Sequence, residues 1–379
     1  MATPVRDEGA PAAARRWLWL YRPPAPSVRA QSIQVVHMAH AMACRGHHVT
    51  VAVDPPRGAP APSPAVVLGA YGLEPIDGLD LVVLPSHPTL GSLAWRALVA
   101  RWIAQDDGTG VIYARRKRYA RDVLRWAGAR VRLVLEVHEV DSQQDRERGA
   151  DPAANFALER EVLAGAKGVV ANCPGTLALL RATHDHVPPA IASHNGTHAG
   201  RVRSPVGPGE GVGYVGSVRA YKGLDVLADA ARRLDATVTL VGAKGQPAAE
   251  ALVARSGGRV VLEDALPHHA VPDRLARFRA LVLPLSPGLF GESLTSPLKL
   301  WDYLASGVPI VGADLPTLRD AAPGAYVPYI PDDAASLERA LRLVMTDEPT
   351  RAAVLAARRV RTWATRAAEV ERFVASVLP

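Results

Sequence analysis

At 379 residues the chain exceeds what one ordinary hydrophobic core organises, so two domains are expected. Its 48% apolar content holds no run long enough to cross a bilayer, and Cys44 and Cys173 stand alone, which excludes a disulfide scaffold and any CxxC metal or redox site. Forty-four Lys and Arg against 37 Asp and Glu leave a net charge of +7, which favours anionic partners such as a phosphorylated ligand or a membrane surface.

Residues 1–14 lack an apolar signal core and are expected to form a disordered leader; two isolated cysteines suit a cytoplasmic location. From residue 15 onward short apolar runs alternate with helical patterns, the signature of parallel α/β layers. Strands are expected near 16–20, 48–53, 80–84, 110–114, 131–137, 168–172 and 190–193. Arg115, Arg116, Lys117 and Arg118 form the densest basic patch, and the plain reading is a solvated face, since no aromatic interleaving suggests nucleic acid. His138 follows the apolar run Leu133, Val134, Leu135, Glu136, Val137, a place where a structural and a functional histidine fit the pattern equally well. Among twelve histidines His37 and His40 share helical spacing and His184 lies near His186, but no third ligand falls at a recognised spacing, so no metal site is expected.

Residues 196–211, rich in Gly, Pro and Arg, read as a linker. Strands are then expected near 212–216, 237–242, 259–263, 280–284, 309–313 and 325–328. Two Rossmann-like halves result, an N-terminal one over 15–200 and a C-terminal one over 201–355, with ligands at the carboxyl ends of the strands. The tail 349–378 is helical, with Trp363 as its apolar anchor.

Two segments carry chemistry. The first runs from Gly213 to Asp225: a strand ends in Gly216, where a side chain would obstruct a ligand, and a short loop delivers Lys222 to a helix that buries Leu224, Leu227, Ala231 and Leu234. The second runs from Ser296 to Val311 and spells a helix with both ends written out. Ser296 serves as N-cap, Pro297 as the first helical residue, Gly307 as the C′ residue, and Pro309 stops continuation. Such a helix start offers free N–H groups and partial positive charge to an anion, Lys299 adds a full charge, and Asp302 shares the face of Leu298 and Lys299. A diphosphate at the tip and a ribose on Asp302 suit that arrangement. Gly211, Gly213 and Gly216 match G-x-G-x-x-G formally, but they lead into a strand rather than out of one, which excludes a nicotinamide fingerprint.

These residues resemble the retaining GT-B glycosyltransferases, in particular the large family 4 of bacterial mannosyl- and glucosyltransferases and sucrose synthases. The resemblance rests on Gly216-Ser217 with Lys222-Gly223, on Leu240-Val241-Gly242, on Pro267-His268, and on Asp302 to Val311. In the first half Arg45-Gly46-His47-His48-Val49, Ile112-Tyr113-Ala114-Arg115, Glu136-Val137-His138 and His194-Asn195-Gly196-Thr197 also match. It departs from the family in three places. Asp302 takes the second position of the usual pair of glutamates, while Leu294 falls at the first and Glu292 two residues earlier. Ser217 replaces an arginine that assists the lysine, and Arg219 could supply that charge. Arg29-Ala30 stands where the family has a Gly-Gly loop.

The resemblance implies a GT-B fold, two Rossmann-like domains facing across a cleft, with a C-terminal helix (356–379) crossing back to the N-terminal domain. It implies a metal-independent hexosyltransferase that needs no cofactor and moves a sugar from a UDP- or, less favoured, GDP-sugar to a hydroxyl of a glycan, lipid-linked or secondary-metabolite acceptor. Lys222, Arg219 and His138 would be catalytic. Gly216, Ser217, Lys222, Gly242, Pro267, His268, Glu292, Ser296, Leu298, Lys299 and Asp302 would bind the donor, and Arg29, Gln31, Arg115 and His138 the acceptor. Two other readings remain open: a nucleotide-sugar epimerase on the same fold, and a catalytically degenerate nucleotide-sugar-binding partner protein.

Overall fold

Strands buried on both faces must be nearly continuous apolar runs, and among the described residues thirteen strands, most of them such runs, pair in parallel. The structure is a computed structural model and describes residues 13–56, 60–204 and 209–379; residues 1–12 of the expected leader and 205–208 of the expected linker lie outside the described residues. Two compact units divide them, one formed by residues up to 194 together with 363–379, the other by residues 195–362.

The first unit carries β1 (Arg16–Leu20), β2 (His48–Val53), β3 (Leu79–Val83), β4 (Val111–Ala114), β5 (Leu133–Val137), β6 (Gly168–Ala171) and β7 (Ala190–Ala192). They form one sheet in the order β3-β2-β1-β4-β5-β6-β7. Trp17 and Trp19 of β1 are wholly buried at its centre, and Trp19 packs on Tyr113 of β4 with ring centroids 4.6 Å apart. The second unit carries β8 (Val212–Val215), β9 (Val238–Val241), β10 (Val260–Glu263), β11 (Ala280–Leu283), β12 (Ile310–Ala313) and β13 (Val327–Tyr329), in the order β10-β9-β8-β11-β12-β13. All pairings in both sheets are parallel, and each strand lies within two residues of its expected place. These are two Rossmann-like sheets of GT-B type. In each, the strand order reverses beside the first strand, between β1 and β4 and between β8 and β11, and that reversal opens a crevice at the carboxyl ends.

The tail is two helices rather than one. Glu348–Ala357 stays with the second unit; the backbone turns extended at Arg358, and Thr362 makes an isolated parallel bridge with Thr197. Trp363–Val377 then packs on the first unit. Trp363 stacks on His37 at 5.9 Å between centroids, and Glu371 accepts from Arg45 Nε (2.6 Å) while facing His47 Nε2 (2.9 Å). The Arg45-Gly46-His47 turn, with Gly46 at φ +85°, therefore anchors the last helix. Among the described residues no helix is long and apolar enough to cross a membrane.

Candidate functional site

The carboxyl end of β8 gathers cations. Gly216, at φ +134°, leaves the strand, and a Cβ there would come within 3.0 Å of Lys299 Nζ, so the glycine is what allows that ammonium to lie over the strand end. Lys299 Nζ sits 3.7 Å from the centroid of the Tyr214 ring, a cation–π contact made by a half-buried residue. Lys222 Nζ donates to the carbonyl oxygen and to Oγ of Ser217, both at 3.1 Å. Burial, and then the neighbouring Arg219, bring the Lys222 pKa down to about 8; burial, and then Lys222, hold Lys299 well below the ordinary lysine value. Among the described residues neither lysine has a carboxylate partner. Two partly desolvated ammonium groups that repel one another are a site short of negative charge.

The surrounding loops fix this arrangement. Ser286 N–H donates to Tyr221 O at 3.1 Å and Phe290 packs on Tyr221 at 4.4 Å, which ties the Lys222 loop to the turn after β11. Glu292 lies in that turn, exposed and without a side-chain hydrogen bond or ion pair among the described residues. Gly242, at φ +86°, ends β9 beside Gly216; Gln246 Nε2 donates to its carbonyl (2.7 Å) while Gln246 Oε1 accepts from Val218 N–H (3.1 Å). Gln246 has no counterpart among the sequence expectations, because its contacts are to backbone.

The helix expected after Ser296 is Leu298–Ser306, ending at Gly307 with φ 76° as expected, but its start differs. Pro297 occupies the N-cap position, no side chain caps the helix, and Ser296 Oγ instead accepts from Asn195 N–H at 3.0 Å. Asn195 Nδ2 also donates to Ser296 O at 2.7 Å. The chain that leaves the first unit thus takes the hydroxyl that the cap would use. The N–H groups of Leu298 and Lys299 remain at the helix start, where intrahelical acceptors are lacking by geometry.

One turn deeper, Asp302 is engaged within the protein, a difference from a carboxylate left open for a ribose. Thr197 Oγ1 donates to Asp302 Oδ1 (2.6 Å), Arg201 Nη1 approaches Oδ1 at 3.5 Å, and His268 Nε2 faces Oδ2 at 3.5 Å. Burial would raise the Asp302 pKa, but His268, Arg201 and Thr197 outweigh it and hold the carboxyl below its ordinary value. His268 is pushed down, first by burial, against the pull of Asp302. The Arg201 guanidinium lies 2.7 and 2.8 Å from the two ring nitrogens of His268, and a neutral imidazole accepts from it at one of them while the other carries the ring hydrogen. Pro267 is exposed and opens the short turn His268–Ala270. Asp302 and His268 are therefore together as the pattern suggests, while Arg201 and Thr197 join from a segment that reads only as linker and landmark.

The first unit holds a polar cavity of about 420 Å³ at the carboxyl ends of β1, β4 and β5, and Gln31, Arg115 and His138 all line it. Arg29 sits exposed at the N-cap of the helix Ala30–Cys44, outside that lining. Glu136 also lines the cavity, with its side chain buried. It accepts from Arg366 Nη2 (2.6 Å) and Gln34 Nε2 (2.8 Å), and His138 Nε2 lies 3.2 Å away. Burial opposes ionisation of Glu136, but Arg366, His138 and Arg115 bring its pKa to about 2. His138 falls to about 4, through burial first and Arg115 second, with Glu136 pulling the other way. At neutral pH the pair is a carboxylate beside a neutral imidazole. The basic patch is not simply a solvated face: Arg115 donates to Gln34 Oε1, and Lys117 is buried with Nζ on Glu139 O (2.6 Å), Asp141 (2.7 Å) and Glu159 (3.0 Å).

Comparison with known proteins agrees with this architecture. The family described as "Glycosyl transferase 4-like domain" matches residues 29–192, and "Glycosyl transferases group 1" matches residues 209–347. No curated protein matches the chain. Among solved structures, sucrose-phosphate synthase from Thermosynechococcus elongatus is 15% identical with a TM-score of 0.71, covering 96% of this chain and 98% of that one. Anabaena HepE in complex with UDP and glucose is 15% identical with a TM-score of 0.67, covering 96% and 100%. An α,α-trehalose 6-phosphate synthase from Burkholderia multivorans is 11% identical with a TM-score of 0.66, covering 96% and 99%. Likeness at such identity establishes the fold, and the two family matches, which together span most of the chain, establish the lineage. The chain belongs to the GT-B glycosyltransferases, with a glycosyl transferase 4-like domain followed by a glycosyl transferases group 1 domain.

Proposed function

We propose that this protein is a retaining, metal-independent hexosyltransferase of family 4 that takes its sugar from a nucleoside diphosphate sugar, UDP before GDP, and passes it to an acceptor hydroxyl. The observation that carries the reading is the pair Lys222 and Lys299 at the carboxyl end of β8, beside the amide-bearing start of the helix Leu298–Ser306. Transfer breaks the bond between the anomeric carbon and the β-phosphate oxygen and forms one to the acceptor oxygen on the same face. The acceptor proton passes to the departing phosphate oxygen. The developing charge on the diphosphate is where Lys222, Lys299 and the N–H groups of Leu298 and Lys299 act, each such preorganised contact contributing about 3–4 kcal/mol to the transition state. These ammonium groups supply the positive charge that a divalent ion would otherwise provide.

UDP is favoured because HepE was solved with UDP and glucose, and the trehalose-phosphate synthase from Burkholderia xenovorans is described as UDP-forming. Glu292, exposed after β11, would be the carboxylate that contacts the donor sugar. Gln31, Arg115 and neutral His138 would hold the acceptor; His138 orients rather than removes a proton, since its partner Glu136 is already occupied by Arg366. The test is the anomeric configuration of the product by NMR when the protein is given UDP-glucose and a panel of hydroxyl acceptors. An α-linked product is expected. A β-linked product refutes retention, and release of an epimerised donor without any acceptor turns the assignment to an epimerase.

A further inference from the structure

Three guanidinium groups line the cavity of the first unit without a counter-charge. Arg115, Arg116 and Arg118 all belong to its lining, and among the described residues none has a carboxylate in ion-pair range. The other charges there are paired within the protein: Glu136 holds Arg366 at 2.6 Å, and Lys117 lies between Asp141 and Glu159. Glu139, exposed and in no ion pair among the described residues, is the one carboxylate of the lining left over. Arg116 is also the N-cap residue of the helix Lys117–Ala127, and Lys117 and Arg118 open it. No side chain caps this start, and its first turn holds no acidic residue. Cations placed there oppose the helix dipole and the first N–H groups lack intrahelical acceptors, so a bound anion would answer both. A buried polar group independently marks the cavity as a ligand site. Tyr21 lines it at 7% exposure, and among the described residues its hydroxyl has no hydrogen-bond partner. Burial raises the Tyr21 pKa, while Arg115, Arg116 and Arg29 pull it down, so three guanidinium groups act on that one hydroxyl. Gln31, on the same lining, leaves its side-chain amide without a partner among the described residues.

We propose that this cavity receives a phosphate-bearing polyol, its oxyanion on Arg116, Arg118 and the start of the helix Lys117–Ala127, its hydroxyls on Tyr21 and Gln31. Guanidinium forks and backbone N–H groups match the several oxygens of a phosphate, whereas a neutral sugar would cover these donors and leave them unanswered. A volume of about 420 Å³ suits a ligand of sugar-phosphate size. Combined with the proposed transfer reaction, on which this step rests, the accepting hydroxyl and the phosphate belong to one molecule, and Tyr21 joins the acceptor-binding residues. A free sugar phosphate and a sugar carried on a lipid diphosphate present the same oxyanion.

Isothermal titration into the full chain tests this without turnover. The probes are glucose 6-phosphate and glycerol 3-phosphate, each against its unphosphorylated parent, and glucose on a short polyprenyl diphosphate, against the same prenyl glucoside. At least one phosphate-bearing probe should bind about ten-fold or more tighter than its parent. Arg116→Ala with Arg118→Ala should remove that preference and leave UDP affinity unchanged. Tyr21→Phe, which keeps the ring, should weaken the preferred probe yet leave the binding of inorganic phosphate, followed by phosphorus NMR, as in the native chain. Preference for the free sugar phosphates assigns a soluble acceptor, and preference for the lipid diphosphate alone a lipid-linked one. The proposal is overturned if no phosphate-bearing probe outbinds its parent, or if the preference survives loss of both arginines. Displacement of the bound probe by UDP also overturns it, since the arginines would then serve the donor. UDP binding that persists in the first two failures leaves the donor site standing, while a phosphate preference in a chain that binds no nucleotide refutes the transfer reading alone.

Discussion

Lys222 is the side chain whose chemistry is most exposed to test. Its pKa of about 8 in the protein alone means that a diphosphate, which favours the charged form, must bind with proton uptake above that pH. Calorimetric titration of UDP at pH 8.5 in two buffers of different ionisation enthalpy should report that uptake, and Lys222→Arg should reduce it to what Lys299 contributes. Over the same range kcat/KM for the donor should fall as the pH rises through about 8. Lys222→Ala should lower turnover about a hundred- to a thousand-fold with the fold intact. His138 makes the opposite case. With its pKa near 4 it is neutral throughout the physiological range, so the rate profile should show no acid limb near pH 6.5, and His138→Gln should leave the profile's shape unchanged while lowering acceptor affinity.

Elements were the most legible level of the sequence. Parallel strands covered on both faces must be apolar along their whole length, so runs such as Val49, Val51, Val53 and Leu133, Val134, Leu135 mark themselves, and Gly307 with Pro309 marks a helix end. The helix start was misread for a physical reason. Ser296 is a good N-cap by type, but Asn195, a hundred residues earlier, takes its hydroxyl and carbonyl, and no local pattern records that contact. Arg201 escaped similarly: in a Gly-, Pro- and Arg-rich connector one arginine that folds onto Asp302 looks like its neighbours. Asn195→Ala should therefore destabilise the second unit by about 1–3 kcal/mol, read by urea unfolding, and weaken UDP binding by loosening the helix tip. Unchanged affinity in that variant would show that the connector does not position the helix.

At the scale of the whole molecule, the last helix is held to the first unit by buried charge as well as apolar packing. Trp363 was visible as an anchor, whereas Arg366 was hidden in an Ala- and Arg-rich tail, although it falls on the same helical face as Trp363, Ala367 and Val370. The fully buried Glu136 within an apolar strand was the available clue, since such a carboxylate demands a partner. Arg366→Met should cost about 3–5 kcal/mol by stranding that carboxylate, and adding Glu136→Gln should restore much of the loss. If the double variant is no more stable than the single one, the pair does not hold the helix through charge.

The central claim is that the ammonium groups of Lys222 and Lys299, with the tip of the helix Leu298–Ser306, receive a nucleoside diphosphate. Isothermal titration of UDP and GDP into the native chain, Lys222→Ala and Lys299→Met addresses it directly. The account predicts that the native chain binds at least one of the two nucleotides, and that each variant weakens the binding ten-fold or more, about 1.4 kcal/mol, without loss of fold. Equal affinity in all three proteins, or no binding of either nucleotide to the native chain, would contradict it.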